Sequence, residues 1–164
     1  MLDAILIVSL WIQCDIVRDV VVKIKTVTDL SQQAQLEAAP GGTGTDANAI
    51  KAINYASQMG ARVASCSWGG GGYNPVLEEA MFESGMLFVC SAGNEATNND
   101  IEPHYPSSYD LPNLISVAAS DWNDNLVNFS CFGAGSVDLA APGHWILSCA
   151  PVNRGVWLGG TSMA

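Results

Sequence analysis

Ser162 stands among small residues in the run Gly159-Gly160-Thr161-Ser162-Met163-Ala164. Two glycines before it suit a sharp strand-to-helix turn, because glycine accepts the positive φ such turns need and small neighbours leave the hydroxyl open. A hydroxyl presented this way suggests attack on a carbonyl carbon, helped by a histidine and an acid. A plain loop of small residues has the same composition, so the run alone decides nothing. Ser91-Ala92-Gly93-Asn94 is a second candidate. It presents a carboxamide after small residues, and an uncharged Asn N–H suits an oxyanion that forms only in a transition state. A turn asparagine in the left-handed region is the commoner use of such a residue. The third is Ser67-Trp68-Gly69-Gly70, whose backbone could pair with an extended peptide or form a glycine-rich loop.

The elements that would position these residues alternate along the chain. Val20 to Val27 reads as a strand. Thr45 or Asp46 caps a helix running to Met59, with Ala49, Ile50, Ile53, Ala56 and Met59 on one face and Gly60 as its stop. Arg62 to Trp68 is a short buried strand ended by Gly69 to Gly72. Asn74-Pro75 opens a helix to Glu83 that Gly85 closes. Met86 to Cys90 is a continuous apolar run, the mark of a strand covered on both faces. Further strands are expected at Leu114 to Ala119, Val137 to Ala140 and Trp145 to Cys149, with a turn at Pro142-Gly143. Strand, helix, strand, helix, strand is the pattern of a parallel α/β sheet, whose sites lie at the carboxyl ends of its strands. Both glycine-rich stretches fall at such ends.

Length and composition agree with one well-buried domain: 164 residues, 49% hydrophobic and 13% charged. A net charge of −10 leaves no basic patch for nucleic acid or an anionic membrane. Five cysteines form no C-x-x-C pair; Cys66, Cys90 and Cys149 sit in apolar runs, where buried free thiols are expected, and a zinc site is not. The apolar run Ala4 to Ile12 is too short to span a bilayer. It lacks the basic start and cleavage site of a signal peptide, and reads as a buried strand or an ill-placed leader.

Taken in order, these stretches resemble the subtilisin-like serine proteases (subtilases). Gly160-Thr161-Ser162-Met163-Ala164 is identical to that family's nucleophile signature. Gly160-x-Ser162-x-Ala164 also fits a loose α/β-hydrolase elbow, but that fold has its acid and histidine after the serine, and only two residues follow here. Ala64-Ser65-Cys66-Ser67-Trp68-Gly69-Gly70 resembles the strand walling the pocket for the residue before the scissile bond, with Ser65 where asparagine is common. Leu87 to Glu95 resembles the strand and loop of the oxyanion asparagine. Tyr105-Pro106-Ser107, Val117-Ala118-Ala119 and Asp138-Leu139-Ala140-Ala141-Pro142-Gly143 match stretches between that asparagine and the serine.

The resemblance implies a three-layer α/β sandwich around a parallel sheet and a serine-type endopeptidase acting on protein or peptide substrates outside the cell. Ser162 would be the nucleophile, and Asn94 with the Ser162 N–H would hold the oxyanion. Ser67, Trp68, Gly69, Gly70, Ala92 and Gly93 would bind substrate. It also implies a cis bond before Pro106. By the same resemblance no cofactor is required for the chemistry; structural calcium, common in the family, is possible in a full-length parent and cannot be placed on these residues.

The pattern is incomplete. No aspartate is followed by Ser or Thr and then Gly, and no histidine precedes His104. His104 and His144 read as surface or turn histidines. Residues 1–19 align with nothing in the family, so 20–164 is expected to be a partial peptidase domain, missing both ends and inactive alone. The alternative is a non-catalytic relative that keeps a peptide-binding cleft.

Overall fold

The computed structural model describes residues 5–8, 44–150 and 154–164. Five parallel strands make one sheet in chain order: β1 Ile5–Val8, β2 Val63–Cys66, β3 Leu87–Ser91, β4 Leu114–Ser120 and β5 Leu139–Pro142. Helix α1, Asp46–Gln58, connects towards β2, and helix α2, Pro75–Glu83, joins β2 to β3. An antiparallel hairpin of β6 Ile146–Ala150 and β7 Arg154–Leu158 follows the sheet. The strand expected at Val20 to Val27 lies outside the described residues. The apolar run near the start does supply a strand, β1, which pairs with β2.

Local chemistry explains where the helices begin. Thr45 accepts the Asn48 N–H on its hydroxyl, and Asn74 accepts the N–H groups of Val76 and Leu77 on its carboxamide oxygen, with Pro75 as first helical residue. Ile53 and Ala56 of α1 and Leu77 and Met81 of α2 pack against Ala64, Cys66, Phe88 and Cys90 of the sheet. Met59, expected on the apolar face of α1, is 50% exposed, because it is the cap beyond the last full turn.

Strand β3 departs from the expectation of burial on both faces. Phe88 and Cys90 face the helices and are fully buried, whereas Leu87 is 37% exposed on the other side. Among the described residues only one face of the sheet carries helices. Phe88 anchors the covered face, and Phe88→Ala would cost about 3–5 kcal/mol. Cys66 and Cys90 are buried free thiols, as expected, and are register partners on β2 and β3. Cys131 is a third buried free thiol, and the Tyr105–Pro106 bond is cis.

Two elements differ from the sequence pattern. β5 begins at Leu139 rather than Val137 and takes in Pro142, which an edge strand tolerates. β7 was not expected, because Arg154 and Gly155 interrupt its apolar character; its backbone pairing with β6 defines it.

Parallel pairing is what builds the site. β2 and β3 end beside each other, so the segments after Cys66 and after Ser91 leave the sheet side by side. The turn at 160–163 is brought to them through Gly143, whose carbonyl accepts the Gly160 N–H at 2.9 Å. A Cβ on Gly143 would lie 2.7 Å from both the Ala119 Cβ and the Gly160 oxygen, so only glycine permits this approach.

Candidate active site

A cleft of about 410 Å³ opens at the carboxyl ends of β2 and β3. One wall is Ser67 to Gly70, another is Gly93 to Glu95, and Ser162 and His104 also line it. Of the residues singled out in the sequence, Ser67, Trp68, Gly69, Gly70, Gly93, Asn94 and Ser162 line it. Ala92 departs from its expected role. It is fully buried, its N–H bonds the Val117 carbonyl at 2.9 Å, and its own carbonyl accepts the Asn99 amide at 2.9 Å. With both backbone groups committed inward, Ala92 supports Gly93 and does not line the cleft.

Ser162 sits in the turn after β7 and is half-buried. Its hydroxyl donates to the Ser67 carbonyl at 3.4 Å, and the Ser67 hydroxyl donates to the Ser162 carbonyl at 3.2 Å. This reciprocal pair ties the turn to the end of β2. No imidazole is hydrogen-bonded to Ser162 Oγ among the described residues, and a backbone carbonyl is far too weak a base to take its proton.

Asn94 is oriented by Thr161, a residue within the serine motif that the sequence left without a role. The Thr161 N–H donates to Asn94 Oδ1 at 2.9 Å, and its hydroxyl donates to the same oxygen at 3.1 Å. A backbone N–H can only donate, so the atom facing it must be Oδ1, and Nδ2 is turned the other way. The Thr161 hydroxyl also accepts the Gly93 N–H at 3.2 Å, and the residue is 3% exposed. Neither Asn94 Nδ2 nor the Ser162 N–H has a protein acceptor among the described residues. Both residues line the cleft, and unpaired N–H donors are the kind of group that can stabilise a developing oxyanion.

His104 lies in a turn, as expected, but it is half-buried rather than on the surface and it lines the cleft. Its ring reaches into the cleft between Gly69 and Gly93, because the turn at 104–108 folds back on itself through His104 N–H to Ser108 Oγ at 3.0 Å and Ser107 Oγ to His104 O at 2.7 Å. Burial lowers its pKa, and the nearby Glu95 carboxylate only partly opposes this. Glu95 is pushed up by burial but pulled down further by bonds from the Cys131 thiol at 3.3 Å and the Asn94 N–H at 2.8 Å. The net shift is downward, which keeps it a carboxylate. His144 stays outside the cleft lining, its ring near Phe129 and Trp145. The available signal for His104 was indirect: a glycine in each wall left room for a ring that adjacency in sequence does not reveal.

Among the described residues no group of three or more His, Cys, Asp or Glu side chains is placed to hold a metal ion. No helix there is long and apolar enough to cross a membrane.

Comparison with known proteins agrees with the geometry. Residues 24–164 match the family described as the subtilase family. The chain is 41% identical to thermitase of Thermoactinomyces vulgaris over 126 residues, which is 75% of this chain and 43% of that protein. It is 35% identical to subtilisin DY of Bacillus licheniformis over 127 residues, 75% of this chain and 45% of that one. A crystal structure of a cold adapted subtilisin-like serine proteinase superposes with a TM-score of 0.66 at 30% identity, covering 76% of this chain and 45% of that one. The chain thus spans less than half the length of these relatives.

Proposed function

The chain belongs to the subtilase family, and we propose that it carries the nucleophile and oxyanion half of a serine endopeptidase. Protein or peptide substrates would be cleaved outside the cell without a cofactor. In this reading Ser162 Oγ attacks the scissile carbonyl carbon. The tetrahedral oxyanion is held by Asn94 Nδ2–H and the Ser162 N–H. Collapse expels the amine, and water then releases the acyl group from Ser162. Residues 67–70 and Gly93 flank the residue before the scissile bond.

The observation that carries the reading is the pair of hydrogen bonds from Thr161 to Asn94 Oδ1, which fixes the carboxamide in the cleft that Ser162 also lines and leaves its Nδ2 without a protein acceptor among the described residues. The base and its orienting aspartate would be supplied from outside residues 1–164, so this chain alone is inactive. Neither His104 nor His144 is hydrogen-bonded to Ser162 among the described residues.

The test is hydrolysis of an unfolded protein substrate by the full-length protein that contains this chain. Ser162→Ala should abolish turnover. Asn94→Leu should lower kcat by about 10²–10³ with KM little changed, the size measured for removing such a donor in subtilisin. Peptide binding without any Ser162-dependent turnover would instead make this a cleft that binds and does not cut.

A further inference from the structure

The imidazole of His104 occupies the room that two glycines leave. A Cβ on Gly69 would lie 2.7 Å from Nε2, and one on Gly93 would lie 2.9 Å from Cδ2. The ring therefore spans the gap between the two walls of the cleft. Its tautomer follows from the hydrogen bonds. Ser107 Oγ gives its single hydrogen to the His104 carbonyl, so towards Nδ1, 3.0 Å away, it can only accept. Nδ1 carries the proton, and in the neutral ring Nε2 is a bare lone pair. Nε2 has no protein partner among the described residues, and His104 lines the same cleft as Ser162 and Asn94.

A lone pair exposed in a binding cleft discriminates between side chains. An aliphatic side chain packed against it would strip it of water and offer nothing in return, whereas a donor would pair with it. Among the described residues the charged group beside the ring is Glu95, from the segment after β3, whose Oε2 lies with the ring against the same Gly93 position. Gly69, Ser107, the Tyr105 carbonyl and the Cys131 thiol, the other groups near the ring or its glycine walls, are uncharged.

We propose that His104 is a specificity-determining residue of the cleft: its Nε2 selects, before the scissile bond, a side chain that ends in a hydrogen-bond donor. Lysine is favoured first, because the Glu95 carboxylate stands beside the ring, then glutamine, and leucine is disfavoured. A protonated ring turns Nε2 from acceptor to donor, and the preference moves towards glutamate. The inference rests on the peptidase reading and names the peptides that this site would take.

The test uses the full-length protein and peptide substrates differing only in that residue: lysine, glutamine, leucine or glutamate. At pH 8 kcat/KM should favour lysine over leucine by about tenfold, the worth of one charged hydrogen bond. His104→Ala should reduce that ratio at least about fivefold, and His104→Gln, which keeps an acceptor, should restore most of it. On the wild-type protein, lowering the pH through the ring's titration should raise the glutamate-to-lysine ratio. A ratio indifferent to both substitutions and to pH overturns the proposal. If the wild-type protein hydrolyses none of the four, the peptidase reading fails. The proposal is then decided by the His104 ¹⁵N shifts on titration with acetylated peptides. A shift of Nε2 with the lysine peptide and not the leucine one supports it, and equal or absent shifts overturn it.

Discussion

Thr161 holds Asn94 by two hydrogen bonds to one oxygen, from its N–H at 2.9 Å and from its hydroxyl at 3.1 Å. The same hydroxyl accepts the Gly93 N–H, so one buried side chain fixes both the carboxamide and the wall that carries it. Thr161→Val keeps the shape and removes the hydroxyl. It leaves a buried N–H unsatisfied and should lower stability by about 1–3 kcal/mol. In the full-length protein kcat should fall more than KM rises, because an oxyanion donor acts in the transition state. Thr161→Ser should restore both. Normal kcat in Thr161→Val would show that the backbone N–H alone orients Asn94.

His104 and Gly69 should be coupled in stability. The Gly69 backbone does not lie in the left-handed region, so alanine there is opposed by what its Cβ would strike, the His104 ring and the Tyr105 carbonyl at 2.9 Å. Gly69→Ala should destabilise by about 1–3 kcal/mol in urea unfolding, the range for overpacking. With His104→Ala in the background the cost should shrink, giving a coupling of about 1 kcal/mol or more. Additive effects would place the ring elsewhere.

Acid should destabilise the fold in two steps. The His104 pKa is lowered on folding by burial, so below the ordinary value of 6.5 the unfolded state binds more protons. Stability is full above that value and falls with pH until the lower folded value is passed. Glu95 acts in the same direction at lower pH. Its carboxylate form is favoured by the fold despite burial, so its contribution is present above 4.5 and lost as pH drops through its folded value. Denaturation midpoints measured against pH should show both steps. His104→Gln should remove the upper one alone, and an unchanged upper step would assign it to another group.

Much of this architecture was legible because it rests on short-range signals. Asn74-Pro75 and Thr45 mark helix starts by hydrogen bonds that span two or three residues. The Ser162 run, Asn94 and the glycine edge at 67–70 are contiguous motifs. What was not legible depends on packing between distant segments. His104 and Gly69 are 35 positions apart in sequence, and nothing near either residue announces the other. Ala92 reads as part of a substrate wall, yet its inward hydrogen bonds to Val117 and Asn99 are set by the sheet register and the following loop. Thr161 was visible as a motif letter, but its task required the geometry of Asn94. β7 is defined by pairing with β6, which outweighs its weak local strand character.

The central claim is that Ser162 is a nucleophile whose base lies outside residues 1–164. The direct measurement is the rate of fluorophosphonate labelling of this chain and of the full-length protein, each beside its Ser162→Ala form. The account predicts fast, Ser162-dependent labelling of the full-length protein and labelling slower by about 10²–10⁴ for residues 1–164, the usual contribution of a positioned base. Equally fast, Ser162-dependent labelling of residues 1–164 would contradict it. Loss of that labelling in His104→Gln or His144→Gln would then identify the base within the chain.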